Sequence, residues 1–184
     1  VVSLFSLLGF LDDLYNLSPL IRLVSHFCIT SFIWSKNISI SNLNFEYFSF
    51  GINSLKIPNF LSLIVTFFWF GGIINAINWI DGINGLSSGV SILILIGIAK
   101  IAFAKDLIGL AFISLILIGA CLGFMVQNLR PNNIIMGDNG SNFLGFQLSI
   151  LSLYGGSNNQ EILFSSNLEI FPFIPVLLMG FPLL

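Results

Sequence analysis

Long apolar runs separated by short polar intervals set the pattern of this chain. Crossing lipid hydrocarbon takes roughly 20 apolar residues in a helix. Runs of that kind lie at about 19–35, 58–79, 84–104 and 107–128. Residues 1–11 read as the last half of another span, 140–156 as a shorter one, and a further span starts near 170. Two polar stretches are longer than turns. Residues 36–57 alternate polar with apolar positions, which predicts a small hairpin at the membrane surface. Residues 157–169 read as a polar loop. The expected fold class is therefore all-α, a polytopic transmembrane helical bundle, with residues 1–184 forming one integral-membrane domain. The sequence has no initiator Met and both ends fall inside apolar runs, so it reads as an internal piece of a longer polytopic protein.

Helices that enter lipid must cross it, because an unpaired backbone cannot stop in hydrocarbon. Successive loops then alternate sides, and this sorts the charged residues. Loops 12–18, 79–84 and 129–139 fall on one face with Asp12, Asp13, Asp81 and Asp138. Glu46, Asp106, Glu161 and Glu169 are scattered singly on the other. Four of the eight acids thus gather in three short loops at one end.

Composition agrees with a bilayer as solvent. The chain is 56% hydrophobic and 8% charged, with 20 phenylalanines, and a soluble domain carries about a quarter of its residues charged. A net charge of -2 offers no basic footprint for nucleic acid. Cys28 and Cys121 lie far apart in apolar stretches and suit neither a disulfide framework nor a zinc site. The positive-inside count sets Arg22 and Arg130 on the acidic face against Lys36, Lys56, Lys100 and Lys105 on the other, which taken alone puts the acidic face outside.

Three stretches on the acidic face carry candidate chemistry. In GFLDDLYNLSPLIRL (9–23), two adjacent carboxylates repel unless a cation or shared proton intervenes, and Ser18-Pro19 starts the next helix. In NWIDGINGLSSG (78–89), Asp81 follows Asn75 and Asn78 at three-residue spacing, which places the three on one helix face. Gly82 and Gly85 then break the helix and allow close backbone approach to a ligand. In QNLRPNNIIMGDNGSNFLG (127–145), Asp138 lies in a turn just before a helix whose free N–H groups suit an anion, or which Asp138 or Asn139 caps. Hard oxygen donors with amides nearby, and no usable Cys or His cluster, suit Mg²⁺ rather than zinc or iron. Magnesium and phosphate at a membrane surface point to phosphoryl transfer on a lipid.

The segments LDDLYNLSP, NAINWIDGINGLSSG and RPNNIIMGDNGSNFLG, in this order and spacing, resemble the polyprenyl-phosphate N-acetylhexosamine-1-phosphate transferases, the MraY- and WecA-like membrane enzymes. The resemblance implies transfer of a sugar 1-phosphate from a UDP-sugar to undecaprenyl phosphate with release of UMP, an early membrane step of cell-envelope polysaccharide synthesis. It implies Mg²⁺, with Mn²⁺ as a substitute, a bacterial plasma membrane with the active-site loops cytoplasmic (against the charge count), and is compatible with a homodimer. By the same resemblance Asp138 is the metal ligand. Asp12 takes a proton from the lipid phosphate with Asp13 as its acidic neighbour, and Asn78, Asp81, Asn84 and Asn128 lie on the nucleotide side.

Three departures from the family pattern stand out. Asn84 replaces a common second Asp, Asn139 replaces Thr or Val, and Asn16 replaces a Lys of the MraY branch, which favours a WecA-like member. The family's His-rich loop would lie beyond Leu184, and His26 sits mid-span as a core residue, so the segment alone is expected to be inactive. The rival readings are an ion-coupled transporter, another lipid-phosphate enzyme and an inactive remnant. The acids sit at span ends rather than at the midplane, and no inverted repeat is visible, which weighs against a transporter.

Overall fold

The computed structural model describes residues 2–15, 17–36, 38–44, 54–131, 134–155 and 165–168. It is a helical bundle of α1 (Val2–Tyr15), α2 (Pro19–Ser35), α3 (Asn59–Ile80), α4 (Leu86–Ala104), α5 (Ile108–Asn128) and α6 (Gly137–Gly155). A small sheet of β1 (Ser39–Asn44), β2 (Ser54–Lys56) and β3 (Ser165–Leu168) closes one end.

Helices α3, α4 and α5, at 22, 19 and 21 residues, are long and apolar enough to cross a membrane. At 1.5 Å per residue each covers about 30 Å, the thickness of the hydrocarbon. Their outer faces carry Phe60, Phe68, Leu93, Phe112, Ile116 and Val126 exposed, a surface that lipid rather than water would cover. The expected spans at 19–35 and 140–156 are helices too, but α2 is shorter and α6 begins with a polar turn, GDNGSN.

Helix α6 is the inner element, packed against α1 and α3. Its Phe146, fully buried, stacks on Phe5 of α1 at 4.8 Å and on Phe70 of α3 at 5.6 Å between ring centroids. Gly145 makes the α3 contact: a Cβ there would lie 2.7 Å from the Cα of Ile74. Buried serines on α6 cause no unmet polarity, since Ser149 and Ser152 each donate to a carbonyl of their own helix at 2.7 Å. Helices α4 and α5 pack on each other as an antiparallel pair and reach the rest mainly through α6.

Two helix ends differ from expectation. Helix α1 continues through Asp12 and Asp13 to Tyr15 instead of ending at residue 11, and α6 starts at Gly137 instead of 140. The cause is common to both: α1 and the first turn of α6 stabilise each other through side chains described below. At the other end, β1 pairs antiparallel with β2, the strand pairing expected of the alternation at 36–57. The buried Ile40 donates its N–H to Thr66 Oγ1 of α3 at 3.0 Å, which fastens the sheet to the bundle. Strand β3 was not expected. It lies inside the polar 157–169 stretch and pairs parallel to β1, with an irregularity between Ile40 and Asn42. A parallel partner so remote in sequence leaves no local turn signal. The span expected near 170, Asn16 and the rest of the 157–169 loop lie outside the described residues.

Candidate active site

Six element ends meet at the acidic end: the last turns of α1, α3 and α5 and the first turns of α2, α4 and α6. Side-chain hydrogen bonds between residues far apart in sequence tie them together.

Asp13 holds the start of α6. Its Oδ1 accepts the N–H of Asp138 at 2.8 Å and its Oδ2 that of Asn139 at 3.1 Å. The helix N-terminus read from sequence as an anion site is thus occupied by a carboxylate of the chain itself, and neither Asp138 nor Asn139 caps it. Gly137 has φ +68°, a left-handed conformation that suits glycine, and the Asp13 carboxylate lies against it. Gly9, one turn before Asp13, lets the two backbones meet: a Cβ there would come 2.5 Å from the carbonyl oxygen of Asp138. Ser6 Oγ donates to Asn139 Oδ1 at 2.6 Å.

The Asp138 side chain turns the other way, toward α3. Asn78 Nδ2 donates to Asp138 Oδ1 and to Ser141 Oγ, the latter at 2.9 Å. Asp138 Oδ2 takes no hydrogen bond among the described residues. No three His, Cys, Asp or Glu side chains gather among the described residues, so a metal here would rest on Asp138 and on ligands the substrate brings.

Asp12, only 4% exposed, is spent differently from its neighbour. Its Oδ1 accepts the N–H of Leu17 at 2.8 Å and its Oδ2 pairs with Arg22 Nη1 at 3.0 Å. The like charges of the pair are separated by function: one carboxylate meets a guanidinium, the other a helix N-terminus. Sequence reading counted Arg22 only as a charge. Yet a cation in the first turn of a helix opposes the macrodipole, and that unfavourable placement was the available signal that it answers an acid elsewhere.

The 78–89 stretch forms the expected break. Helix α3 ends at Ile80, Asp81 caps it, and Gly85 at φ +76° opens α4. Asp81 Oδ1 accepts Ser87 Oγ–H at 2.7 Å. Asn128, buried, accepts the Gly85 N–H and donates to the Ile134 carbonyl at 2.7 Å, so it braces the turn rather than facing open space. Asn84 is exposed at the tip. Asn75, at the predicted spacing, donates within its own helix to Gly71.

Beside this cluster an apolar groove of about 490 Å³ runs between α2 and α3, lined by Arg22, His26, Phe67, Phe68, Asn78 and Trp79 among others. Arg22 and Asn78 form its polar end, next to the acids, and Phe67 and Phe68 line its apolar part.

Comparison with known families places the chain. The model of the family described as "Glycosyl transferase family 4" matches residues 1–156, which include all three motif segments. The chain belongs to this family. It is similar to a Bacillus subtilis protein named as a probable undecaprenyl-phosphate N-acetylglucosaminyl 1-phosphate transferase. They are 34% identical over 177 residues, 96% of this chain and 46% of the relative. It is also similar to phospho-N-acetylmuramoyl-pentapeptide-transferases. The Listeria innocua protein is 33% identical over 160 residues, 83% of this chain and 49% of the relative. The Streptococcus thermophilus protein is 32% identical over 162 residues, 83% of this chain and 46% of the relative. The chain spans about half the length of the relatives it matches. Membrane-enzyme relatives and three helices of spanning length make it a membrane protein.

Proposed function

We propose that this chain supplies the acid-lined part of an Mg²⁺-dependent transferase active site. The enzyme would move an N-acetylhexosamine 1-phosphate from a UDP-sugar to a polyprenyl phosphate and release UMP. One observation carries the reading: Asp13, Asp138 and Asn78, from three separate motif segments, form one hydrogen-bonded cluster at the polar end of an apolar groove.

The groove suits an acceptor with an apolar tail and an anionic head. Arg22 gives one N–H to Asp12 and keeps further donors for a phosphate, while Asp12 fixes its direction. Asp138, with one oxygen oriented by Asn78 and the other unengaged, fits Mg²⁺, which commonly takes one or two carboxylates and leaves the remainder to water and phosphates. When bound, Mg²⁺ or Mn²⁺ supplies positive charge to the diphosphate and to the departing UMP. Asn78, Asp81 and Asn84 would face the nucleotide, and Asn128 would keep their turn in place.

In the reaction an oxygen of the lipid phosphate bonds to the β-phosphorus of the UDP-sugar. The bond from that phosphorus to the oxygen bridging the two phosphates breaks, and UMP leaves with the electron pair. A phosphate monoester loses its second proton near pH 6, so at neutral pH the attacking oxygen is largely deprotonated already. What the residues contribute is chiefly orientation and charge placement. The UDP-sugar is cytosolic, so the acidic end would face the cytoplasm of a bacterial plasma membrane.

The test is UMP release by the full-length protein in lipid nanodiscs, given a UDP-N-acetylhexosamine, polyprenyl phosphate and Mg²⁺. Asp138→Asn should lower turnover by more than about a hundredfold, beyond the usual cost of losing an outer-shell partner. Unchanged turnover would remove Asp138 from the metal.

A further inference from the structure

Adjacent carboxylates invite the same role for both, and the geometry separates them. Ser6, Gly9 and Asp13 stand at successive turns on one face of α1, and each meets the first turn of α6. Ser6 takes Asn139's side chain, Gly9 accepts the backbone of residues 138 and 139 where any Cβ would collide, and Asp13 receives two backbone N–H groups. Both oxygens of Asp13 are committed to this turn. We infer that this face of α1 is a bracket that fixes the direction of the Asp138 carboxylate, and that Asp13 is a positioning residue rather than a proton acceptor. The inference rests on Asp138 as the metal ligand.

The physical logic is that of preorganisation. Asp138 lies in the first turn of a helix, where backbone N–H groups lack intrahelical partners and ends fray. A metal ligand on a fraying turn must be ordered each time the metal binds, which weakens affinity. Capping from a different helix removes that cost, and Asn78 completes the arrangement by orienting the side chain itself. Capping needs an acceptor oxygen. Proton transfer needs a titratable group, and the two demands can be separated by substitution.

The experiment compares Asp13→Asn, Asp13→Ser and Asp13→Ala in the full-length protein, with Gly9→Ala as a variant that leaves every charge in place. Asn and Ser retain a capping oxygen and lack a base, while Ala lacks both. Without metal, amide hydrogen exchange at 138 and 139 should speed up by about tenfold in Asp13→Ala and by less in the Asn and Ser variants. Mn²⁺ binding, read by electron paramagnetic resonance, should weaken in the same order, and Gly9→Ala should weaken it with Asp13 intact. Turnover at saturating Mg²⁺ should be largely restored in Asp13→Asn and Asp13→Ser. Equal, deep loss of turnover in all three Asp13 variants, with exchange and Mn²⁺ affinity unchanged, would overturn the bracket. Exchange and affinity changes in the expected order, in a protein whose wild type releases no UMP, would support the bracket and reject the transferase reading.

Discussion

The two ends of the bundle are held together by different kinds of bond. At the acidic end, side chains reach across long sequence separations: Ser6 to Asn139, Asp13 to 138 and 139, Asn78 to Asp138, Asn128 to Gly85. At the opposite end the joints are mostly backbone ladders, three short strands fastened to α3 through Thr66. A ladder accepts many side chains, because the main chain supplies the bonds. A network of named carboxylates, amides and hydroxyls accepts few, because each atom has one partner of the right kind. The acidic end is therefore where identity matters, and the sheet end is where shape is enough.

Mutations at the two ends should separate on these lines. The largest effect on folding is expected for Arg22→Ala, which leaves the Asp12 carboxylate buried without its cation and should cost about 3 kcal/mol, with Arg22→Lys recovering part. Turnover should fall with it, since the same guanidinium faces the groove; thermal melting and UMP release, measured together, report both losses. Asn128→Ala should cost about 2 kcal/mol by leaving the Gly85 N–H and the Ile134 carbonyl unpaired, and raise the KM for the UDP-sugar more than it lowers kcat. If the KM were unmoved, the brace would not serve the nucleotide side. Thr66→Val should cost only about 1 kcal/mol, seen as a lower melting temperature, because Ile40 loses one acceptor. Its turnover should match wild type, and a large drop would erase the distinction between the ends.

Much of the bundle was legible as hydrophobic pattern. The spans read at 58–79, 84–104 and 107–128 are α3, α4 and α5 displaced by a residue or two, because long apolar runs leave the helix no alternative in lipid. Sorting loops by side also placed Asp12, Asp13, Asp81 and Asp138 at one end, where the structure puts them. What pattern does not carry is pairing. Asp12 and Asp13 are the same letter twice, and only the neighbours supplied by α2 and α6 give one an arginine and the other a helix terminus. The same pairing extends α1 past residue 11 and starts α6 early. Strand β3 escaped for a related reason, since its partner β1 lies more than a hundred residues earlier.

Helix α6 meets its neighbours through a glycine at each of two levels, Gly9 of α1 beside its first turn and its own Gly145 against α3. Alanine is one nucleotide change from glycine in the genetic code, so both positions are struck often by ordinary mutation. At either one the smallest possible side chain already drives into main chain, which cannot step aside as a flexible side chain can. Substitution can spread across the lipid-facing surfaces of α3 to α5, whereas at these two glycines even alanine is opposed by the main chain of a neighbouring helix.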